Sequence, residues 1–412
     1  MSIICAKIVL VLCILLVYLA FQWLGYNIKN DSSHINIAKV KPRGHIRQNG
    51  DYWVWNNYII ADDVFIGNES ITLATHASYE DLVYLPELLT TWGGPISISI
   101  FVCGTDFEKT IDSLRYIYTC LTMRFYMKRY LTIHLIFHDQ HVPEIMKSMK
   151  MHELANYKHC KLDPAFQNTS WTQSYWRRRK LNYPRNLLRN VARINIFTYY
   201  VLSIDIHMLP TPDFPKKFLK FIRNHDTWRF ADIPEPYTSV FCLPVFPIHL
   251  WDFVPKDKLQ LRKLQVTRLS RRQKRWLDAP NPYDEVFIYE ISKETDFCVV
   301  YVSINELEPL YDEQDENGSI LEEDTNLKCQ FLVDLKYNFI VLDGVFLIEH
   351  ILWRKWTILN SRRRKKRALK SIRRRYIWHR FYTKVISLVP DEFAQLWNTR
   401  LRSSWQRRLK DG

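Results

Sequence analysis

Asp205 and His207 are two potential metal ligands that follow the most apolar stretch in the middle of the chain. The eight residues before them, 197–204, are mainly aromatic and β-branched, and such a run predicts a strand inside a sheet. Ligands of open α/β sheets bind beyond the carboxyl ends of the strands. Side chains two positions apart can face one ion on an extended strand tip. We therefore expect this pair to hold a divalent cation against a diphosphate. The alternative is a buried strand that ends in an incidental aspartate.

A strand–helix–strand unit precedes this site along the chain. Its strand, helix and second strand are predicted at residues 71–75, 81–91 and 96–102. Asp81 is a suitable N-cap for the helix, and Gly93 is a suitable terminator. A nucleotide bound to such a unit lies at the end of the first strand, so Thr75 and His76 are candidate nucleotide contacts. An ordinary loop histidine is the alternative for His76.

The remaining elements predict an α/β fold with a mainly parallel sheet flanked by helices. Directly before the central strand, Leu187, Leu188, Val191 and Ala192 recur at helical spacing and predict a helix. Further helices are predicted at residues 107–120, 143–163, 213–224, 259–278 and 324–335. Further strands are predicted at residues 131–137, 239–246 and 337–342, and a strand or hairpin within 51–65.

The predicted helix and central strand read RNLLRNVAR, an apolar run and then D-x-x-x-L-P, and W-x-G-P-I-S stands at residues 92–97. These patterns resemble the glycosyltransferase family that contains β-1,4-glucuronyltransferase 1 and the LARGE-type glucuronyltransferases. EPLYDE at residues 308–313 and GVFLIEH at residues 344–350 resemble two further family segments. The resemblance covers about residues 71–350. It implies a GT-A-like, Rossmann-like fold preceded by an N-terminal transmembrane helix.

The resemblance also implies a reaction and the residues that perform it. The family's strand ends in Asp-x-Asp, which holds Mn²⁺ or Mg²⁺ and the nucleotide sugar, and a later histidine is a third ligand. The corresponding residues here are Asp205, His207 and His350. The implied donor is UDP-glucuronic acid, whose glucuronic acid is transferred with inversion onto a glycan or glycoprotein acceptor. We further expect Arg189 and Asn190 to brace either the nucleotide or the loop that carries the Asp205 motif.

An inverting reaction needs one carboxylate to deprotonate the acceptor hydroxyl. Asp312 or Glu313 is the expected base, since the family segment that EPLYDE resembles lines the acceptor side. Three departures from the family pattern support a second hypothesis, a catalytically inactive relative that binds a glycan or a partner enzyme. His207 replaces the second aspartate, Pro247 replaces a glutamate, and the residues after Glu313 lack the family's aromatic and glycine pattern.

Residues 8–24 contain one polar residue in seventeen positions and predict a transmembrane signal-anchor. A cleaved signal peptide is the alternative. We expect residues 1–7 in the cytoplasm, a stem at 25–50, the catalytic domain at 51–360 and a basic extension at 361–412. With the resemblance, this predicts a single-pass type II protein of the Golgi membrane with a luminal catalytic domain. The basic residues after the span favour the opposite orientation, whereas potential N-glycosylation sites at Asn68, Asn168 and Asn317 favour this one.

The formal net charge of +15 predicts an acidic partner, and nucleic acid, anionic lipid and anionic glycan all qualify. Residues 362–375 contain ten basic residues in fourteen positions. Because a membrane segment conflicts with a nuclear role, we expect no nucleic-acid partner. The chain has only 10 glycines and no glycine-rich phosphate loop. Six cysteines that follow the predicted span are compatible with one to three disulfides, and their spacing does not reveal the pairing.

Overall fold

The computed structural model describes residues 42–144, 148–155, 157–167, 174–223, 239–248, 253–264, 266, 269–281, 285–292, 298, 300–313 and 321–350. The chain divides into two compact units, Met1–Pro42 and Arg43–Gly412, and the described secondary structure lies in the second. The predicted transmembrane segment, the C-terminal extension, Asn168 and Asn317 lie outside the described residues. Among the described helices, none has the length and apolar character needed to span a membrane.

The described strands, in chain order, are β1 His45–Asn49, β2 Tyr52–Ile59, β3 Gly67–Ala77, β4 Ile96–Phe101, β5 Leu131–His138, β6 Thr198–Ser203, β7 Met208–Pro210, β8 Ser239–Leu243, β9 Val245–Ile248, β10 Phe287–Ser292, β11 Val300–Ile304, β12 Asn338–Asp343 and β13 Leu347–His350. The described α-helices are α1 Leu85–Trp92, α2 Asp106–Thr119, α3 Arg124–Tyr130, α4 Tyr175–Arg178, α5 Arg185–Ile194, α6 Phe214–Arg223, α7 Lys258–Lys263, α8 Arg271–Asp278 and α9 Leu321–Asp334.

Ten strands form one mixed sheet in the order β1-β2-β5-β4-β3-β6-β11-β8-β12-β10. Its centre is parallel, because β4 pairs in parallel with β3 and β5, and β3 pairs in parallel with β6. Strand β11 runs antiparallel to both of its neighbours, β6 and β8. A second sheet of three strands has the order β7-β13-β9. The predicted α/β class with a mainly parallel central sheet is therefore confirmed.

The parallel centre is buried on both faces, as continuous apolar strands require. All six residues of β4 are buried, and α5 packs on β3 and β4 through the apolar residues that predicted it. Helix α1 ends at Gly93, whose backbone has the left-handed φ of 62° that glycine adopts without steric cost. The strand–helix–strand unit predicted at residues 71–102 is confirmed, with β3 longer than predicted at both ends. Asp81 is not the N-cap of its helix: a 3-10 turn, Tyr79–Tyr84, starts at Ser78, whose capping box includes Asp81, and α1 follows from Leu85.

Four predicted elements are corrected by the structure. Within residues 143–163, the described part contains only a 3-10 turn, Met151–Ala155, because Met151 and Leu154 pack beneath α2 in place of a continuous helix. The single helix predicted at 259–278 is two helices, α7 and α8, because Ser270 starts the second with a capping box. The strand predicted at 239–246 divides at Pro244, which has no amide hydrogen for the ladder. Strand β1 lies inside the predicted stem, so the fold begins earlier than expected.

Two disulfides join distant segments of the fold, Cys120–Cys160 and Cys242–Cys298. Cys103 and Cys329 are buried free thiols. The predicted range of one to three disulfides is confirmed, and the pairing comes from the structure alone.

Candidate functional site

The candidate site lies at the carboxyl ends of the parallel strands, where Asp205 follows β6. In the parallel pair of β3 and β6, Ala74 stands opposite Ser203, so the residues two positions later, His76 and Asp205, reach the same face. The His76 Nε2 lies 3.0 Å from the Asp205 Oδ1. Both residues are buried. The predicted position of Asp205 beyond the end of a central strand is confirmed.

Two neighbours hold the Asp205 carboxylate in one orientation. Its Oδ1 accepts hydrogen bonds from the His76 ring and, at 3.2 Å, from the Nη2 of Arg189 on α5. Burial alone would raise the pKa of Asp205, but the hydrogen bond from His76 and the charge of Arg189 hold it well below its usual value. The group is therefore an ionised, immobilised carboxylate at neutral pH.

His76 lies inside β3 and contacts Asp205 through its ring, so it is not an ordinary loop histidine. Burial lowers the pKa of His76 below its usual value, so the imidazole is neutral at pH 7. Its Nδ1 lies 2.9 Å from the Tyr183 hydroxyl, which leaves the proton on Nε2 to face Asp205. Tyr183 and His76 thus form a relay behind the carboxylate. Sequence reasoning missed Tyr183, because its contact joins residues 107 positions apart.

His207 lies where the two sheets meet. Strand β7 pairs antiparallel with β13, with Met208 opposite Glu349, so the next step of the register sets the His350 backbone opposite His207. This is the juxtaposition that the resemblance implies, although the His350 side chain lies outside the described part. The Glu349 Oε1 is 3.7 Å from the His207 Nε2. Glu349 also stands opposite Pro247 in the parallel pairing of β13 and β9.

The donor set suits a divalent cation of intermediate softness. One carboxylate, Asp205, and two imidazoles, His207 and His350, favour Mn²⁺ over Mg²⁺, which prefers oxygen ligands. Glu349 beside His207 resembles the carboxylate that commonly orients a metal-binding imidazole. Among the described side chains, no three His, Cys, Asp or Glu residues already form a metal-binding group. The register brings the His350 backbone to His207, and a cation held by these two residues together with Asp205 stays a prediction.

Helix α5 presents a polar face to the segment 305–313, which carries the predicted base. Arg193 donates to the main-chain oxygens of Asn305, Glu308 and Pro309. The Asn190 side chain donates to the Tyr311 main-chain oxygen and to the Glu313 Oε1, and its own oxygen accepts from the Tyr311 main-chain amide. Both amide hydrogens of Asn190 are thus engaged by the protein. Its geometry fits a role in holding this segment, and a contact with a nucleotide stays a prediction.

Asp312 and Glu313 both contact α5 but are held differently. The Glu313 Oε1 accepts from Asn190 and its Oε2 accepts from Asn49, both at 2.9 Å. The Asp312 main-chain oxygen accepts from Asn186 at 2.8 Å. Because Arg189 on the same helix reaches Asp205, α5 joins the predicted donor site to the predicted base.

Thr75 is separated from this group by the alternation of side chains along β3. His76 faces Asp205, so Thr75 faces the opposite side of the sheet, where it is buried beside β4. The structure therefore does not bring the Thr75 side chain beside Asp205, and its contact with a nucleotide stays a prediction. Asn68 is exposed at the start of β3, and its glycosylation stays a prediction.

A buried charge cluster behind the segment 305–313 was also missed by sequence reasoning. The Glu308 carboxylate accepts from Tyr301, Ser303 and Lys328 and pairs with Arg193. Burial would raise the pKa of Glu308, but the Arg193 and Lys328 charges lower it to about 2. No local pattern announces this cluster, because its members come from α5, β11 and α9.

Comparisons with known proteins identify a family and relatives of this chain. The family described as "Glycosyl-transferase for dystroglycan" matches residues 70–387. The β-1,4-glucuronyltransferase 1 of Bos taurus is 25% identical over 225 residues, which are 54% of this chain and 50% of that protein. The Danio rerio β-1,4-glucuronyltransferase 1 is 27% identical over 230 residues, which are 52% of this chain and 50% of that protein. This chain spans about half the length of the curated relatives it matches.

One solved structure also matches at low similarity. S. aureus TarS 1-349 has a TM-score of 0.33 and 12% identity, over 83% of this chain and 92% of that chain.

Proposed function

This chain belongs to the family described as glycosyl-transferases for dystroglycan, and on that premise we propose that it transfers glucuronic acid from UDP-glucuronic acid to a glycan acceptor with inversion. The observation that carries the proposal is the buried, ionised Asp205, held by His76 and Arg189 at the carboxyl ends of the parallel strands. This is where open α/β folds bind nucleotides. The relatives named β-1,4-glucuronyltransferase 1 supply the donor and the linkage.

The proposed donor site uses Asp205, His207 and His350 to hold Mn²⁺. When bound, the cation neutralises the negative charge that develops on the departing diphosphate. Arg189 adds a fixed positive charge beside Asp205. The relay from Tyr183 through His76 keeps the carboxylate in one rotamer, so no reorganisation is needed when the nucleotide sugar binds.

The proposed acceptor side contains the base, which is Asp312 or Glu313. Both Glu313 oxygens accept hydrogen bonds from amide side chains, those of Asn49 and Asn190. The Asp312 main-chain oxygen accepts from Asn186, which holds the backbone of the same segment. We propose that one of these two carboxylates removes the acceptor proton.

The proposed location is the Golgi lumen, with residues 8–24 as the membrane anchor. Two disulfides are typical of an oxidising compartment, and exposed Asn68 is available for N-glycosylation. Endoglycosidase treatment of the expressed chain tests this location. A mobility shift that is smaller in Asn68→Gln is expected, because Asn168 and Asn317 are also candidate sites, whereas the absence of any N-glycan in cells would contradict a luminal domain.

Calorimetric titration of UDP into the full chain, purified in non-ionic detergent with Mn²⁺, tests the function. We expect the wild type and Asp112→Ala to bind UDP and Asp205→Ala to lose binding. Asp112 is a matched control because it lies on α2 with a side chain that is 54% exposed. A screen of UDP-sugars on the binding-competent protein then tests the donor. Turnover of another sugar in place of glucuronic acid refutes the proposed donor but keeps the transferase.

A second candidate is an inactive relative that binds a glycan or a partner enzyme. His207 and Pro247 favour it, since each stands where the family pattern has a carboxylate. Glu349 weakens this reading, because it brings a carboxylate to His207 and lies opposite Pro247. The UDP titration separates the two: an inactive scaffold shows no UDP binding that depends on Asp205.

A further inference from the structure

Tyr311 lies at the point where the donor side and the acceptor side of the proposed site meet. Two cations lie over its ring: the Arg189 guanidinium carbon at 5.0 Å and the Lys328 Nζ at 3.7 Å from the ring centroid. Its main chain forms a closed pair with the Asn190 side chain, with both hydrogen bonds at 2.8 Å. The tyrosine is buried and directly precedes Asp312.

The two cations belong to different functional groups. Arg189 donates to the Asp205 carboxylate on the donor side. Lys328 pairs with Glu308, the buried carboxylate that anchors the segment carrying Asp312 and Glu313. One aromatic ring therefore contacts a partner of Asp205 and a partner of the acceptor-side anchor. Both contacts are within the distance at which a cation is attracted to an aromatic face.

We propose that Tyr311 is a positioning residue that fixes the acceptor-side segment and the Asp205 carboxylate in one position relative to each other. The inference rests on the proposed function, since it assigns donor and acceptor roles to the two sides. An inverting transfer needs its base and its donor aligned along one line of attack. The Tyr311 ring contacts the guanidinium that donates to Asp205, so losing the ring removes one of the contacts that hold this guanidinium and weakens its hold on Asp205.

The contact depends on an aromatic face and not on the hydroxyl. Phenylalanine keeps the face that attracts Arg189 and Lys328, whereas leucine keeps an apolar side chain without it. Tyr311→Phe is therefore the conservative rescue for Tyr311→Leu. Phe339→Leu is a matched control, because Phe339 is fully buried in β12 and its loss weakens packing at a different place. Tyr311→Met replaces the leucine variant if that protein does not fold.

The experiment measures UDP affinity by calorimetry in the presence of Mn²⁺ with the full chain in detergent. We expect Tyr311→Leu to weaken UDP binding about tenfold, in line with the cost of a small misplacement at a binding group. Tyr311→Phe is expected to bind within about twofold of wild type, since the cation–ring contacts remain. Phe339→Leu is expected to lower the melting temperature without changing UDP affinity. Unchanged UDP affinity in Tyr311→Leu, or equal losses in the Phe and Leu variants, overturns the proposal.

Hydrogen exchange of the ligand-free proteins separates this proposal from the proposed function. We expect Tyr311→Leu to speed amide exchange in residues 205–210 as well as 305–313, and Phe339→Leu to leave both segments unchanged. If the wild type does not bind UDP, the proposed function is refuted. The exchange data alone then decide whether Tyr311 couples residues 205–210 to residues 305–313. Faster exchange confined to 305–313 refutes the coupling.

Discussion

Glu308→Gln tests the buried charge cluster that anchors the acceptor-side segment. The carboxylate is buried at 5% exposure and faces two cations, Arg193 and Lys328, as well as two hydroxyl donors. Glutamine keeps the shape but removes the charge, which leaves the buried Arg193 without its counter-ion. Burial lowers the pKa of Lys328 to about 7 even beside Glu308, so without this carboxylate the Lys328 amine is neutral at pH 7. Removing one partner of a buried ion pair costs about 3–5 kcal/mol. The lowering of the Glu308 pKa from 4.5 to about 2 corresponds independently to about 3 kcal/mol.

The sign of the pH dependence follows from that lowered pKa. The native state holds Glu308 ionised down to pH 2, whereas the unfolded chain takes up its proton near pH 4.5. The stabilisation is therefore fully present above pH 4.5 and is lost as the pH falls from there towards pH 2. Linkage gives a loss of about 1 kcal/mol between pH 7 and pH 4.

Urea unfolding followed by tryptophan fluorescence measures the difference at pH 7, 5 and 4. We expect the free energy of unfolding of Glu308→Gln to lie about 3 kcal/mol below wild type at pH 7 and closer to wild type at pH 4. Glu306→Gln is the control, since Glu306 lies two positions away and is exposed. A Glu308→Gln effect as small as that control, or one that does not change with pH, refutes a buried ionised carboxylate.

Three further expectations concern the metal site, the α5 clamp and a disulfide. His207→Asp supplies the charged oxygen ligand that hard cations prefer, so calorimetry should show tighter Mn²⁺ binding and a larger gain for Mg²⁺; weaker binding of both ions contradicts the proposed ligand set. Asn190→Ala leaves the Tyr311 amide and carbonyl unpaired in a buried place and should lower stability by about 2 kcal/mol in urea unfolding, whereas an effect below about 0.5 kcal/mol means that the clamp is not formed. The double variant Cys120→Ser, Cys160→Ser opens a 40-residue loop and should lower the free energy of unfolding by about 4 kcal/mol at most, measured against the wild type under oxidising conditions. Reduced wild type should be as stable as this double variant if Cys242–Cys298 resists reduction.

The sequence predicted elements well where local pattern and burial agree. The helix at 185–194 and the strand after it combine one clear period with one continuous apolar run, and both are confirmed. Residues 143–163 have helical composition but form only one 3-10 turn within the described part, because packing on α2 and the Cys120–Cys160 bond decide their path. The family was recognised from the same helix and strand, and it is confirmed by the match over residues 70–387.

The site was predicted at its centre and not at its periphery. Asp205 is identified by the end of a strand, which is a local feature. The partners of Asn190 are Tyr311 and Glu313, 121 and 123 positions away, and no local signal indicates them. His76 was expected to meet a nucleotide, and its observed partner is Asp205, 129 positions away on the neighbouring strand. Pairings of this kind follow from the strand order, which sequence periodicity does not give.

The spacing in RNLLRNVAR has a physical explanation in the two faces of α5. Its apolar residues, such as Leu188 and Val191, pack on β3 and β4, and Ser97 ties the helix to the sheet through the Ala192 carbonyl. Arginine and asparagine recur every four positions, so they lie on one side of the helix.

The polar residues of α5 divide their contacts between the two sides of the proposed site. Arg189 reaches Asp205, while Asn190 and Arg193 bind the segment that leads to Asp312. On the proposed function, one helix therefore sets the distance between the donor-side carboxylate and the acceptor-side base. These contacts of Arg189, Asn190 and Arg193 are made with residues other than His207, which replaces the second family aspartate. Under the proposed function, this departure alters which cation the site prefers, while the contacts of α5 that align donor and acceptor are kept.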